Sequence, residues 1–319
     1  MHVLVTGAAG FVGAALTSRL LDDGHDVTGV DCFLEQSYSA QTKRDRIRPA
    51  LDRAGFTFVE LDLREGSIVD LVADVDVVAH LAGMPGLAAS WGDLASYLGC
   101  NVLATQHVLE AVADADRHLV HVSSSSIYGD VIDGDEDQAP HPLSPYGVSK
   151  LAAEQLVAAY RLSSGVSATV LRLFSVYGPG QRPDMAYSIF CERLLDGLPV
   201  HVTGDGLQSR SNTYVDDAVD ALVRACVLRP DGAVLNIAGD DEVTVLDAVG
   251  VISRALCVDA EIVHDPARAG DQRVTRVRAD RAREALGWQP ETRVAEGLER
   301  QALSARQVRT AAALVCPRA

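Results

Sequence analysis

No run of eighteen or more apolar residues occurs in this 319-residue sequence, so no segment reads as a membrane-spanning helix. Cysteine is sparse and scattered. Cys32, Cys100, Cys191, Cys226, Cys257 and Cys316 include no Cys-x-x-Cys pair. That spacing speaks against a zinc ribbon and a disulfide framework, and points to a reducing, cytoplasmic setting. The opening residues, Met1-His2-Val3-Leu4-Val5-Thr6-Gly7, have neither a basic stretch nor a small-residue cleavage site, and read as a strand rather than a signal peptide. Lysine occurs only at Lys43 and Lys150, so any lysine chemistry has two candidates. Positive charge is short overall: 28 Lys+Arg against 44 Asp+Glu give a net charge of −16, which disfavours a nucleic-acid partner. The deficit is uneven. Residues 1–160 carry nine basic and 23 acidic side chains, whereas residues 161–319 carry nineteen and 21. The cations therefore gather where a second, anionic ligand would be held.

What is present is an alternation. Apolar strands are expected at His2–Thr6, His25–Asp31, Phe56–Asp62, Val75–Ala82, His118–Ser124 and Ala168–Phe174, with helices near Val12–Asp22, Leu94–Ala113 and Tyr146–Leu162. Near-continuous Val/Leu strands between helices predict a parallel sheet covered on both faces, an α/β Rossmann-type doubly wound fold. The turns at Gly165 and Gly178-Pro179-Gly180 mark a change of character. We place a first domain at 1–174, with chain returning to it near 211–242, and a smaller α/β domain mainly at 175–319, including a helix at Ser188–Asp196 and a strand at Pro199–Thr203. The acidic stretch Asp130–Asp137 lacks the glycine and the terminal glutamate of a calcium loop, having Gln138 and Ser144 there; it reads as a solvated loop, and no metal site is expected.

After the first strand comes Gly7-Ala8-Ala9-Gly10-Phe11-Val12-Gly13, then a helix. Glycines at this spacing let the backbone turn tightly and approach a pyrophosphate at the helix N-terminus, with Ala9, Phe11 and Val12 between them in the same loop. Asp31 follows Gly13 by 18 residues, at the end of the second strand, where a carboxylate binds an adenosine ribose. It also disfavours a 2′-phosphate, so NAD is expected over NADP. Asp62, beside Leu63 after the third strand, is a candidate for the adenine amine. Tyr146 and Lys150 lie four apart at a helix start, hence on one face. A tyrosine titrates near pH 10, too high for a base at neutral pH; a neighbouring ammonium and an oxidised nicotinamide both stabilise its phenolate. With the serine run Ser123–Ser126 ending the fifth strand, these residues read as a catalytic Ser/Tyr/Lys set.

Together with His80-Leu81-Ala82-Gly83, Asn101, Leu171–Pro179, Gln181–Ala186, Tyr214–Asp217 and Gly270-Asp271, these motifs make the chain resemble the extended short-chain dehydrogenase/reductases. Within them it resembles the NAD-dependent nucleotide-sugar epimerases and dehydratases, above all UDP-glucuronate 4-epimerases, over nearly its whole length. The resemblance implies Ser124 as the hydroxyl on the reacting oxygen, Tyr146 as base and Lys150 as the residue that lowers its pKa and holds the nicotinamide ribose. It implies Leu81, Ala82, Asn101 and Phe174 along the cofactor, and Ser125 and Ser126 toward the sugar. Arg210 and Arg268 match arginines that grip the nucleotide diphosphate, with Asp271 and Arg273 nearby. The strand at Pro199–Thr203, with Val200 and Thr203, matches the edge that meets the uracil. A homodimer is implied too, through an outward apolar stripe on two helices, with Leu151, Leu156, Val157 and Tyr160 as candidates.

Relatives oxidise C4 of a nucleotide-linked hexose and then diverge. Dehydratases carry an Asp-Glu pair where Ser125 and Ser126 stand, and decarboxylases carry Glu at Ser126, so C4 epimerisation of a UDP-sugar is the expected outcome. Arg182, seven residues after Ser175, looks like the arginine of UDP-glucuronate 4-epimerases that holds the sugar carboxylate. A C4 ketone beside that carboxylate is a β-keto acid, and a bidentate arginine keeps the breaking bond out of line with the carbonyl. Ser175 stands where a threonine is usual; Ala88 and Gly180 stand where relatives often carry arginine; Met84, Pro85 and Ser211-Asn212 also depart. Fewer cations near the sugar keep UDP-glucose/UDP-galactose 4-epimerase as the alternative. A one-way keto-sugar reductase and a non-catalytic NAD sensor stand behind it.

Overall fold

The structure, a computed structural model, describes residues 1–35, 38–129, 132–266 and 274–315. Seven strands form one parallel sheet, in the order Val234–Ile237, Ala168–Leu173, His118–Ser124, Val77–His80, His2–Thr6, Asp26–Asp31, Phe56–Glu60. Because successive strand residues face opposite sides, both faces are covered. Val3, Val5, Val77 and Val120 pack toward helices Phe11–Asp22 and Val215–Leu228, while Leu4, Val78 and Leu119 pack toward helices Ala104–Ala115 and Pro145–Ser164. The chain order reverses between His2–Thr6 and Val77–His80, which opens a crevice at their carboxyl ends.

After the strand Ala168–Leu173 the chain builds smaller pieces. Glu242–Thr244, Ser209–Ser211, Val274–Val277 and Ile132–Gly134 form a four-stranded sheet, and Val200–Thr203 pairs in parallel with Ile262–Asp265. Helix Val215–Leu228 then leads back to the large sheet, which the short strand Val234–Ile237 completes at its edge. Among the described residues, no helix is long and apolar enough to cross a membrane.

Three expectations are corrected. The helix expected over Leu94–Ala113 is a helix at Leu94–Leu98, a π turn at Gly99–Leu103 and a helix at Ala104–Ala115. The loop at 135–137 is not merely solvated: Asp135 pairs with Arg278, Asp137 with Arg281, and buried Glu136 accepts from the Asn236 N–H at 2.6 Å. Asp130, at its start, lies outside the described residues. On helix Pro145–Ser164, Val157 is core, Leu151 and Leu156 pack against core clusters, and Tyr160 reaches Glu110 at 3.4 Å. The large apolar residues that helix exposes are Val148 and Leu162 instead.

Candidate active site

A cavity of about 950 Å³ fills the crevice at the strand ends. Gly7, Gly10, Phe11, Val12 and Gly13 form one wall. A Cβ at Gly7, where φ is +73°, would lie 2.8 Å from the Ala82 nitrogen; one at Gly13 would lie 2.0 Å from the Gly7 carbonyl. Only glycine lets this loop lie against Leu81-Ala82 and lets the following helix start directly on it. Ala9 is buried behind the wall, and its N–H donates to Asp31 at 3.2 Å. The other Asp31 oxygen accepts from the Phe33 N–H at 2.9 Å, and the Lys43 ammonium stands 3.8 Å away. Asp62 and Leu63 line the same end. Arg64 grips the Asp62 carboxylate at 2.5–3.0 Å and holds it below the usual carboxylate range, so Asp62 is already engaged rather than loose in water.

Ser124 ends the fifth strand of the sequence, and its hydroxyl accepts from the Ser126 N–H at 3.2 Å, starting a 3₁₀ turn. Helix Pro145–Ser164 is capped by Ser144, which accepts from the Gly147 N–H at 3.1 Å, and Pro145 suits its first turn. Tyr146 and Lys150 therefore emerge one turn apart into the cavity, opposite Ser124. The Lys150 ammonium donates to the Val122 carbonyl at 2.7 Å. Burial lowers its pKa to about 8, against the opposing charge of Glu154 one turn further on. Glu154 itself is locked to Arg172 in a buried pair at 2.8 Å. Burial also pushes the Tyr146 phenol up, while hydrogen bonding to Ser124 and the charge of Arg182 pull it down.

The π turn explains Asn101. A π insertion turns a helical side chain away from its regular direction, and such bulges cluster at functional sites. Here Asn101 accepts from the Met84 N–H at 2.6 Å, donates to the Met84 carbonyl at 3.1 Å, and donates to Ser149 at 2.9 Å. It thus ties the loop after Val77–His80 to the helix bearing Tyr146. Thr105 closes the turn by donating to the Asn101 carbonyl at 2.7 Å.

Ser125, Ser126, Phe174, Ser175, Arg182 and Arg210 line the other end. Arg182 rises from the loop before helix Ala186–Leu195, pinned by the Arg46 guanidinium on the Gly180 carbonyl at 2.8 Å. Its Nε and Nη2 donate to both oxygens of Asp184 at 2.9 and 2.6 Å. Two expected residues lie elsewhere. Val200 points into the core because it alternates with exposed His201, and Thr203, in register with Asp265, does not reach the cavity. Arg268, Asp271 and Arg273 lie outside the described residues. The sequence reading passed over Tyr38, Lys43, Leu87, Trp91 and Met185, which also line the cavity. Trp91, 71% exposed, and the rarity of lysine were the available signals: both lysines of the chain face this cavity.

Comparison with known proteins gives this arrangement its family. The model described as the NAD dependent epimerase/dehydratase family matches residues 3–238. The chain is 35% identical to a UDP-glucose 4-epimerase of Mycolicibacterium smegmatis, over 93% of this chain and 96% of that one. It is 32% identical to a UDP-glucuronate 4-epimerase of Thermodesulfobacterium geofontis, over 94% of each. The solved UDP-glucuronic acid 4-epimerase of Bacillus cereus, in complex with UDP-glucuronic acid and NAD, superposes with a TM-score of 0.92 at 34% identity, covering 97% of this chain and all of that one. The chain thus belongs to the NAD dependent epimerase/dehydratase family of extended short-chain dehydrogenase/reductases, as an NAD-dependent nucleotide-sugar 4-epimerase.

Proposed function

We propose that the chain interconverts UDP-glucuronate and UDP-galacturonate at C4. The observation that carries this reading is Arg182, a mostly buried guanidinium in the same chamber as Ser124, Tyr146 and Ser175. The backbone at Gly7, Gly10 and Gly13 would hold the cofactor pyrophosphate, Asp31 its ribose, and Asp62 with Leu63 its adenine; Leu81, Ala82, Asn101 and Phe174 would flank the rest. The sheet domain, 1–174 with 211–242, would thus carry the cofactor, and 175–319 mainly the nucleotide sugar, with Arg210 on the diphosphate.

Tyr146 takes the proton of the C4 hydroxyl while Ser124 hydrogen-bonds the same oxygen. Lys150, charged and fixed on the Val122 carbonyl, stabilises the phenolate. Bound NAD supplies a reversible hydride acceptor. Arg182 and Ser175 hold the uronate carboxylate, and so delay loss of carbon dioxide while the 4-keto sugar turns over. The turned sugar then presents the other face of C4 to the returning hydride, and Tyr146 gives the proton back to the same oxygen. Ser125 and Ser126 offer neither an acid nor a base for dehydration.

The test is NMR of products from UDP-glucuronate and, separately, UDP-glucose. Arg182→Ala should raise KM for UDP-glucuronate roughly ten- to hundredfold, the range for hydrogen bonds to a charged group. It should also release a decarboxylated pentose that the parent does not make. A parent enzyme that converts UDP-glucose and ignores UDP-glucuronate overturns the reading. One observation favours that second reading: Asp184 already neutralises Arg182.

A further inference from the structure

We infer that Asp184 sets the choice between acidic and neutral sugars by acting as a built-in carboxylate on Arg182; the inference rests on the assignment of Arg182 to the sugar. A guanidinium presents two donor pairs that match a carboxylate, Nε with Nη2 and Nη1 with Nη2. Asp184 takes the first pair completely, at 2.9 and 2.6 Å. The two residues are only two apart in the chain, and the loop between them is closed by the Met185 N–H on the Arg182 carbonyl at 3.1 Å. The pair therefore forms within one turn and needs no ligand to assemble it.

The placement is asymmetric. The Arg182 side chain is 14% exposed and lines the cavity, whereas Asp184 is 33% exposed and stands outside it. A sugar entering the cavity thus has the Nη1 edge left to it, on a guanidinium whose charge Asp184 balances. Hydrogen bonding to that edge survives, for a hydroxymethyl group as for a carboxylate. The attraction specific to an anion is what the pairing reduces. Opposite charges in a partly buried site cancel at short range far more than they would in water. Asp184 does not touch the sugar; it is a positioning residue that works through Arg182.

The same pairing bears on Tyr146. The groups about its phenol are Ser124 from the strand, Tyr97 with its ring 6.2 Å away, and Arg182 from the loop; Lys150, from its own helix, lines the same cavity with its ammonium on the Val122 carbonyl. Of the two cations, Arg182 is the one with a carboxylate bound directly to its nitrogens.

The experiment measures kcat/KM for UDP-glucuronate and UDP-glucose in the parent, Asp184→Asn and Asp184→Glu. Asp184→Asn should raise the uronate-to-glucose ratio by about tenfold or more, and Asp184→Glu, which keeps the charge, should restore the parent ratio. The acidic limb of the pH–rate profile should also move to lower pH in Asp184→Asn with whichever sugar is turned over. A ratio within twofold of the parent, or a fall for both sugars in proportion, overturns the inference and leaves Asp184 as a loop brace. If the parent does not turn over UDP-glucuronate, the functional reading fails separately. Asp184 is then judged by UDP-glucuronate as a competitive inhibitor of UDP-glucose conversion: a tenfold lower Ki in Asp184→Asn supports the inference, and an unchanged Ki overturns it. Should the Asn variant fail to fold, Asp184→Ser is read in the same way.

Discussion

Tyr146 stands where its surroundings oppose one another. Burial favours the neutral phenol, while Ser124 and Arg182 favour the phenolate. Removing only the hydroxyl leaves that packing intact, since the ring still meets Tyr97 edge-on at 6.2 Å. Tyr146→Phe should keep NAD and sugar binding yet lose about 10²- to 10⁴-fold in turnover, the usual share of general base catalysis. Near-normal activity in that variant would refute the proposed base. In the proposed mechanism Lys150 sets the other side of the pH profile. It stabilises a phenolate only while it carries its own charge, and burial brings its pKa down to about 8. Activity should therefore decline as pH rises past about 8. Glu154 opposes the decline by favouring the ammonium. Glu154→Gln should move the alkaline limb to lower pH, and should cost stability as well, because Arg172 is left buried without its carboxylate at 2.8 Å. An alkaline limb that stays in place in that variant would separate Lys150 from it.

At the level of elements, the central sheet carries three imidazoles that burial keeps neutral, His80, His118 and His121, the last held well below its ordinary value. His118 is held to about 4 and His80 to about 3, and these two are hydrogen-bonded to hydroxyls: His118 to Ser167 and Thr169, His80 to Thr6 and Thr105. In an unfolded chain each titrates near 6.5. As pH falls from 6.5 toward 4, the unfolded chain takes up protons that the folded sheet refuses. Stability is thus full above about 6.5 and declines below it, each group contributing up to about 1.4 kcal/mol per pH unit. Urea melts between pH 7 and 4 should show this decline, and His118→Gln should make it shallower while His80 and His121 keep part of it; a flat parent profile would show that these imidazoles do not govern it. These strands were the most legible elements of the sequence, because a buried parallel strand reads as a Val/Leu run. Helix Leu94–Ala113 was misread as continuous because apolar periodicity passes through Gly99–Leu103, while the π turn depends on contacts of Asn101 with Met84 and Ser149, 17 and 48 residues away. Helix Ala40–Leu51 went unseen because its charged face and internal Pro49 disguise it, and its sign was the Ser39 cap. In the site, motif spacing was enough to bring the glycine loop, Asp31, Tyr146 and Lys150 to one cavity, whereas Ser124 was singled out from its serine run only by the family resemblance. The pairing of Arg182 with Asp184 was two residues long and still missed, because sequence alone does not say which carboxylate a cation faces.

For the whole molecule, the distribution of charge argues about assembly. The sequence holds 72 charged side chains and a net charge of −16, yet residues 94–109 and 138–149 contain none. These two stretches fall on packed neighbours: helix Leu94–Leu98 and the π turn both contact helix Pro145–Ser164. Leu94, Leu98, Leu103 and Val148 are all exposed there. An apolar, charge-free face on an acidic protein suits a partner that is equally apolar there, and a second copy of the chain offers one by two-fold symmetry. Pairing two chains of −16 is opposed by long-range repulsion, which salt screens within about 8–10 Å at physiological strength. The expected result is a dimer at micromolar concentration by light scattering, weakened at low ionic strength and firm at high. Leu98→Glu with Val148→Glu should give a monomer that still carries NAD, because neither side chain lines the cavity. A parent that scatters as a monomer at every salt concentration would leave this face solvated.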